Sequence, residues 1–326
     1  VVRVATHPGP DGPPVDDGRR RFLINATAAA AVVGPGATLV NAAALAPTQL
    51  QVRRYRVPVR GLSPALDNLR LLQLSDSHLG PRVSAAYLRD VMERAVAMRP
   101  DLFLLTGDYV HDGAHHIDLA VELFRPLVEA DSLGVIGTLG NHDWWADGNR
   151  LSRQLTELGV HMIDNDRIFL DAHTRELSRV PRRASLCIAG VGDLLTDVVD
   201  FDAALGDVHA ETPRVLMSHN PDCAELADLR GRPGKLKPDA PGNQFAVAPQ
   251  ALRVDLMLSG HTHGGQVSLP VVGPMMVPSA YGSKYEGGLV QGPVCPVIVS
   301  RGIGLSLLPI RFRVPPELVE ITLVAE

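Results

Sequence analysis

Short apolar runs, each closed by a polar or glycine-bearing turn, recur along most of this chain. Leu69-Arg-Leu-Leu-Gln-Leu74, Leu102–Leu105 and Val135–Leu139 are of strand length and nearly continuous in apolar character, as expected of strands covered on both faces. A helical pattern lies between the first two. Ser84 is suited to cap it, Leu88, Val91, Met92 and Ala95 fall along one face through Arg99, and Pro100 ends it. A second helix is expected around Leu119–Glu129. This βαβα alternation predicts a largely parallel inner sheet. In the second half Leu186–Val191, Val215–Ser218 and Leu256–Ser259 are further apolar runs ending in polar or glycine residues, with Val297–Val299 and Leu318–Leu323 as closing strands. The pattern predicts an α/β fold, a four-layer α/β/β/α sandwich with two mixed β-sheets packed face to face and flanked by helices.

The flanks break this pattern. Residues 1–18 are rich in Pro, Gly and Asp and read as a disordered N-terminus. Arg19-Arg20-Arg21-Phe22-Leu23 then leads into a mildly apolar, alanine-rich run, so residues 19–46 read as a twin-arginine-type signal or membrane anchor. Gly34-Pro35-Gly36 argues against a helix of the folded domain there. Ala42-Ala43-Ala44 offers a small-residue cleavage site; uncleaved, the run is long enough to anchor in a bilayer. The expected location is therefore outside the cytoplasm, anchored or released, with the twin-arginine export machinery as a partner. Residues 47–66 read as a linker with an edge strand at Val52, Tyr55 and Val57, and residues 67–326 as one domain. Within it, residues 230–250 form a Pro/Gly/Lys-rich insertion loop.

Bulk composition narrows the function classes. With 326 residues and 45% hydrophobic positions the chain can bury a full core. A net charge of −5 gives no sign of the basic face that nucleic-acid binding needs, so no nucleic-acid partner is expected. The three cysteines, Cys187, Cys223 and Cys295, lie far apart without CxxC spacing and read as buried thiols.

The chemistry sits where the apolar runs stop. Asp76 and His78, Asp108, Asn141, His219, and His261 with His263 each follow a strand-length run within a few residues. Ligands of open α/β sheets bind at the carboxyl ends of the strands, so these side chains should meet at one edge. Carboxylates, imidazoles and one carboxamide suit borderline divalent ions, whereas a structural zinc site would call for thiolates. Two metals in one site make phosphoester hydrolysis the first hypothesis.

The ordered set Asp76-Ser-His78, Gly107-Asp108, Gly140-Asn-His-Asp143, Ser218-His219 and Gly260-His-Thr-His263-Gly-Gly-Gln266 resembles the calcineurin-like metallophosphoesterases over about residues 69–264. The tail Tyr281-Gly-Ser-Lys-Tyr-Glu-Gly-Gly288 and Ser300-Arg-Gly-Ile-Gly304, with Pro309-Ile-Arg311 and Pro316-Glu317, resembles their bacterial membrane-associated phosphodiesterase branch. That branch includes enzymes acting on lipid-linked pyrophosphates. The resemblance implies one metal held by Asp76, His78, Asp108 and His263, and a second by Asp108, Asn141, His219 and His261, with Asp108 bridging. A bridging carboxylate offsets the repulsion of two cations, and neutral Asn141 avoids a further anion near the substrate phosphate. His142 is assigned to stabilising phosphoryl oxygens or protonating the leaving group. Asp143 either orients a neighbour or is a capping or surface carboxylate.

Weaker features take a plainer reading. His111, His115 and His116 read as residues of an exposed loop, and His7, His161, His173 and His209 as surface residues. Trp144-Trp145 could form an apolar lip, although a packing role is expected for at least one of them. Arg301 suits a phosphate or a salt bridge equally, Gln266 reads as structural, and Gly264 and Gly265 as letting the backbone pass close to the metals.

The expected function is a dinuclear, metal-dependent phosphoester hydrolase, either phosphodiesterase or pyrophosphatase, in which a metal-bound hydroxide attacks phosphorus in line. Two divalent ions per chain (Mn, Fe, Zn or Co), a phosphoester substrate that includes lipid-linked candidates, and membrane association follow from that expectation. The alternative is a catalytically silent, metal-bearing binding or regulatory protein at the cell envelope.

Overall fold

The structure is a computed structural model that describes residues 46–226, 245–246, 253–306 and 308–326. The expected disordered N-terminus at 1–18, the signal or anchor at 19–46 apart from Ala46, and the insertion loop 230–250 apart from 245–246 lie outside the described residues. Among the described residues no helix is long and apolar enough to cross a membrane.

Two sheets carry the fold. The first has six strands, which are in chain order β1 (Gln51–Val59), β2 (Leu69–Leu74), β3 (Leu102–Thr106), β4 (Val135–Thr138), β5 (His161–Met162) and a last strand, Glu317–Ala325. Their spatial order is β1, the last strand, β2, β3, β4, β5. The run β2–β5 is parallel, and the last strand lies antiparallel to β2 and parallel to β1. The segment expected to be a linker with an edge strand thus supplies the edge of this sheet.

The second sheet has seven strands, and four of them form its parallel centre: Leu186–Gly190, Arg214–Met217, Leu256–Ser259 and Pro296–Val299. Asp166–Leu170, Leu177–Ser178 and Gly288–Gln291 join antiparallel at the edges.

Strand periodicity decides which layer each residue joins. Leu69, Leu71, Leu102 and Leu104 turn to the inner face and pack with Ile188, Val215, Met217, Leu256 and Leu258 of the second sheet. Their neighbours Leu72, Leu74, Phe103 and Leu105 turn outward under helices. These are α1 (Ala85–Ala97), whose Ser84 hydroxyl accepts the Tyr87 N–H, α2 (Ile117–Val128) and α3 (Asn141–Leu158). On the far side Phe201, Ala204, Leu205 and Tyr285 cover Cys187, Leu216, Met257 and Val297. The result is the expected four-layer arrangement, with a thin outer layer over the second sheet. All three cysteines are buried and free.

The two sheets are fastened together near their carboxyl ends by a polar side chain. Gln73 is fully buried, and its amide donates to Thr106 Oγ1 at 3.0 Å in its own sheet and to Ser259 O at 2.9 Å in the other.

Candidate metal centre

The parallel strands of both sheets end at the same edge. Beyond β2 come Asp76 and His78, beyond β3 Asp108, and beyond β4 Asn141 at the start of α3; the second sheet adds His219, His261 and His263 after two of its central strands. Main-chain bonds knit these loops to one another. Asp76 N donates to Gly107 O at 3.0 Å, His78 N to Asp108 O at 3.0 Å, and Gly260 N to His219 O at 3.0 Å. Gly140 is required by close approach, because a Cβ there would overlap the Asp108 carboxylate.

Five of the candidate ligands hold a backbone conformation that side chains rarely adopt. Asp76, His78, Asp108, His261 and His263 have φ of 56°, 45°, 57°, 69° and 52°. Left-handed conformations at non-glycine residues cost free energy and cluster at functional sites. The turns that carry these residues turn sharply after each strand, which points the side chains back at the sheet edge. Gly264 and Gly265, also at positive φ, continue this turn after His263.

All seven candidate ligands and His142 meet in one place. Asp108 Oδ2 is 3.4 Å from His78 Nε2 and 3.2 Å from His219 Nε2. Asp76 Oδ1 is 3.3 Å from His263 Nε2, which is itself 2.9 Å from His78 Nε2. His261 Nδ1 lies 3.3 Å from His219 Nε2. Asp76, His78 and His263 offer three donor atoms within 4.8 Å of one another, and so do Asp76, Asp108 and His219. A cavity of about 210 Å³ opens over this cluster, lined by Asp108, Asn141, His142, Trp145, His261 and His263 among others.

The donor set fits divalent metal. His219 donates through Nδ1 to Thr106 O at 2.7 Å, which leaves Nε2 facing the Asp108 carboxylate as the nitrogen a metal would take. Asn141 Oδ1 is buried without a hydrogen-bond partner among the described residues, a loss that a cation would remove. The electrostatics carry the same message. Burial raises Asp76 to about 6, with His219 opposing and Asp108 reinforcing the shift. Burial works against charge on His219, yet Asp108, then Asp76 and Asp193, raise it well above the ordinary imidazole range. Burial, with the neighbouring His78 and Arg311, keeps His263 neutral, and burial keeps His78 neutral. A dication would stabilise every carboxylate and neutral imidazole here.

Asp143 is fully buried and does not sit on the surface. Its Oδ2 accepts from Asp108 N at 2.7 Å and Gly140 N at 2.9 Å, and its Oδ1 from Tyr109 N at 2.8 Å. It therefore both caps α3 and shapes the Asp108 loop. His142 lies in the cavity wall; its main-chain N–H donates to Asp108 Oδ1 at 2.8 Å and its Nδ1 is 2.5 Å from His111 O.

Several weaker readings resolve here. Trp144 packs against the core while Trp145 is 62% exposed and lines the cavity, so one tryptophan packs and the other forms a lip. Arg301 pairs with Glu317 at 3.3 Å. Gln266 ties down the 306–310 segment through Ser306 N, Leu308 O and Ile310 O. His111 departs from the exposed-loop reading. It is half-buried, stacks on His142 with centroids 5.0 Å apart, and places Nδ1 3.5 Å from His78 Nδ1. Its position three residues after Asp108 was the available signal. His161 is half-buried on β5, while His173 and His209 are exposed.

Sequence reasoning missed Arg311 altogether as a supporting residue. Fully buried, it donates to Gly304 O at 2.6 Å, Val314 O at 3.1 Å and Gly302 O at 3.1 Å, and its Nη2 is 3.5 Å from His263 Nδ1. It braces the loop behind one candidate ligand.

Comparison with known proteins agrees with this geometry. A family model described as calcineurin-like phosphoesterase matches residues 69–265. The chain is 28% identical over 310 residues to the uncharacterized metallophosphoesterase YkuE of Bacillus subtilis, covering 94% of this chain and 97% of that one. It is 28% identical to the phosphodiesterase YaeI of Escherichia coli, covering 94% and 99%. To the UDP-2,3-diacylglucosamine pyrophosphatase LpxG of Chlamydia trachomatis it is 25% identical, covering 90% and 95%. Because the family model matches more than half of its residues, this chain belongs to the calcineurin-like phosphoesterase family and is a hydrolase.

Proposed function

We propose that the chain is a two-metal phosphodiesterase or pyrophosphatase. The observation that carries this reading is the position of Asp108, whose Oδ2 lies 3.4 Å from His78 Nε2 on one side and 3.2 Å from His219 Nε2 on the other. Asp76, His78, Asp108 and His263 would hold one ion, and Asp108, Asn141, His219 and His261 the other. Two such ions (Mn, Fe, Zn or Co) would polarise a phosphoryl oxygen and acidify a water for in-line attack on phosphorus.

The protein's own groups do the rest. The main-chain carbonyl of His111 holds the Nδ1–H of His142, so Nε2 is the nitrogen left to carry a proton to the leaving oxygen. Water adds to phosphorus and gives up a proton, the bond from phosphorus to the leaving oxygen breaks, and that oxygen takes a proton from His142 Nε2, which the proton released by water replaces. Asp143 fixes the backbone on which Asp108 and Gly140 sit. The Gly140 turn lets the His142 N–H donate to Asp108 Oδ1, which orients that carboxylate.

A lipid-linked phosphoester is the favoured substrate class. Trp145 and Leu195 give the cavity mouth an apolar side, and the relative LpxG acts on a diacylated pyrophosphate by its name. Export through a twin-arginine signal and a site outside the cytoplasm rest on Arg19-Arg20-Arg21 and the run that follows.

The test strips metal from the protein, restores Mn²⁺, Fe²⁺, Co²⁺ or Zn²⁺ singly, and follows hydrolysis of bis(p-nitrophenyl) phosphate with metal content measured in parallel. Turnover that returns with two ions per chain and is lost in Asp108→Asn supports the reading, provided the variant keeps its melting transition. Two bound ions with no turnover on this ester or on a diacylated nucleotide pyrophosphate would favour a silent binding protein.

A further inference from the structure

From Gly264 to Ser283 the chain has no Asp, Glu, Lys, Arg or His. The middle of this stretch folds into a hairpin, with Ser268–Leu269 antiparallel to Gly273–Pro274. Its tip and returning arm expose Val271, Val272, Met275 and Met276 at 107%, 74%, 68% and 60%. Single exposed apolar residues are ordinary on a soluble protein, but four on one uncharged hairpin form a patch. Val271 sharpens the point. It holds φ +69°, where a turn in water would ordinarily carry Gly or Asn, so the tip keeps an apolar branched side chain against its backbone preference.

The hairpin stands on the rim of the metal-site cavity. Gly265 and Gln266 before it and Pro278 after it all line that cavity. Met275 N donates to Val267 O at 3.1 Å, and Val267 pairs with Phe312, which places the 308–313 segment at the base of the hairpin. That segment adds an exposed Leu308 and an exposed Arg313, which makes no salt bridge among the described residues. Trp145 and Leu195 continue the exposed apolar surface into the cavity itself.

We propose that the hairpin 268–276 is a membrane-docking element that enters the interfacial layer of an anionic bilayer and holds the cavity mouth against it. The chemistry of the hairpin selects lipid over protein. A narrow, uncharged tip offers few directional groups for a protein partner's polar rim, and two such tips meeting in a dimer would bury far less area than a stable interface needs. A bilayer interface accepts apolar side chains without directional contacts, and the exposed Arg313 complements its phosphates. Docking rests on the hydrolase reading only for its use, which is to deliver a lipid-linked phosphoester to the metals without taking it through water.

The experiment uses the full chain carrying Val272→Cys, labelled with an environment-sensitive fluorophore; the native thiols are buried and stay unlabelled. Vesicles of phosphatidylcholine alone or with phosphatidylglycerol are then added. Docking predicts a blue shift and intensity gain with the anionic vesicles, with no change for a label at Val180→Cys beside an edge strand. Val271→Asp with Met275→Asp should weaken vesicle co-sedimentation roughly tenfold or more, and Arg313→Ala should reduce the preference for phosphatidylglycerol. Hydrolysis of a soluble phosphodiester by these variants should stay at the parent level. A label that remains in water while the chain sediments with vesicles would assign binding to another segment and overturn the proposal. Absence of vesicle binding, or a dimer in light scattering that the tip substitutions dissolve, would overturn it as well. Vesicle docking by a chain with no turnover would sink the hydrolase reading alone.

Discussion

The Asp143 carboxylate accepts the main-chain N–H of Asp108 at 2.7 Å, and through its other oxygen that of Tyr109 at 2.8 Å. One buried side chain on α3 thus sets the left-handed turn that presents the shared candidate ligand. Asp143→Asn keeps the shape but turns an N–H₂ towards one of these donors. The expected result is about 10–100-fold weaker metal affinity, the usual loss when a group supporting a ligand is changed, together with destabilisation of roughly 1–3 kcal/mol. Titration calorimetry on the stripped protein reads the first, and unchanged affinity would reduce Asp143 to a helix cap.

His142 is predicted to act on the leaving group without holding metal. His142→Gln should lower kcat about 10²–10⁴-fold while two ions per chain remain bound. The loss should be smaller for an ester with an acidic leaving group, which needs no protonation. An equal loss for acidic and basic leaving groups would assign His142 to the phosphoryl oxygens.

Removing metal should cost stability as well as activity. Five ligand-bearing residues sit at positive φ, a conformation costing about 1–3 kcal/mol each when nothing compensates it. A chelator is expected to lower Tm, and an ion at about 1,000 times its Kd should restore roughly 4 kcal/mol. A melting curve indifferent to chelator and to Mn²⁺ would show that packing alone holds these turns.

The two adjacent tryptophans should separate cleanly. Trp144 packs against the core, so Trp144→Ala is expected to cost about 2–3 kcal/mol in urea unfolding, somewhat below a fully buried aromatic. Trp145, exposed on the cavity wall, should leave stability alone and lower kcat/KM for a diacylated pyrophosphate more than for a soluble diester. Equal losses on the two substrates would remove the apolar lip from the account.

Arg311 is a fully buried guanidinium satisfied mainly by main-chain oxygens, and burial pushes its pKa down to about 10. Arg311→Met would leave the carbonyls of Arg301, Gly304 and Val314 without the donors that Arg311 supplies. Destabilisation of at least about 3 kcal/mol is expected from that count of orphaned acceptors, with metal affinity falling because His263 loses its backing. A fully stable, metal-competent variant would contradict this role.

The local layers of the fold were legible in the sequence. Apolar runs such as Leu69–Leu74 and Leu102–Leu105 announce buried strands because alternate residues must be covered on both faces. Less regular elements were not. The helix Asn141–Leu158 was missed because it starts on polar ligand-type residues and is interrupted at Asp147, where the backbone is extended. The strand Asp166–Leu170 escaped for a similar reason, since only its last three residues are buried.

By itself the sequence determined which side chains could bind metal and the strand ends on which each would stand, because both follow from residue type and short-range periodicity. Only the tertiary structure decided how they meet. The approach of His219 to Asp108 depends on Gln73 and the inner core locking two sheets together across more than a hundred residues of chain. The left-handed turns at the ligands, the backing of His263 by Arg311 and the stacking of His111 on His142 likewise arise from contacts between distant segments. Such contacts are set by packing and register, and no local pattern of residues encodes them.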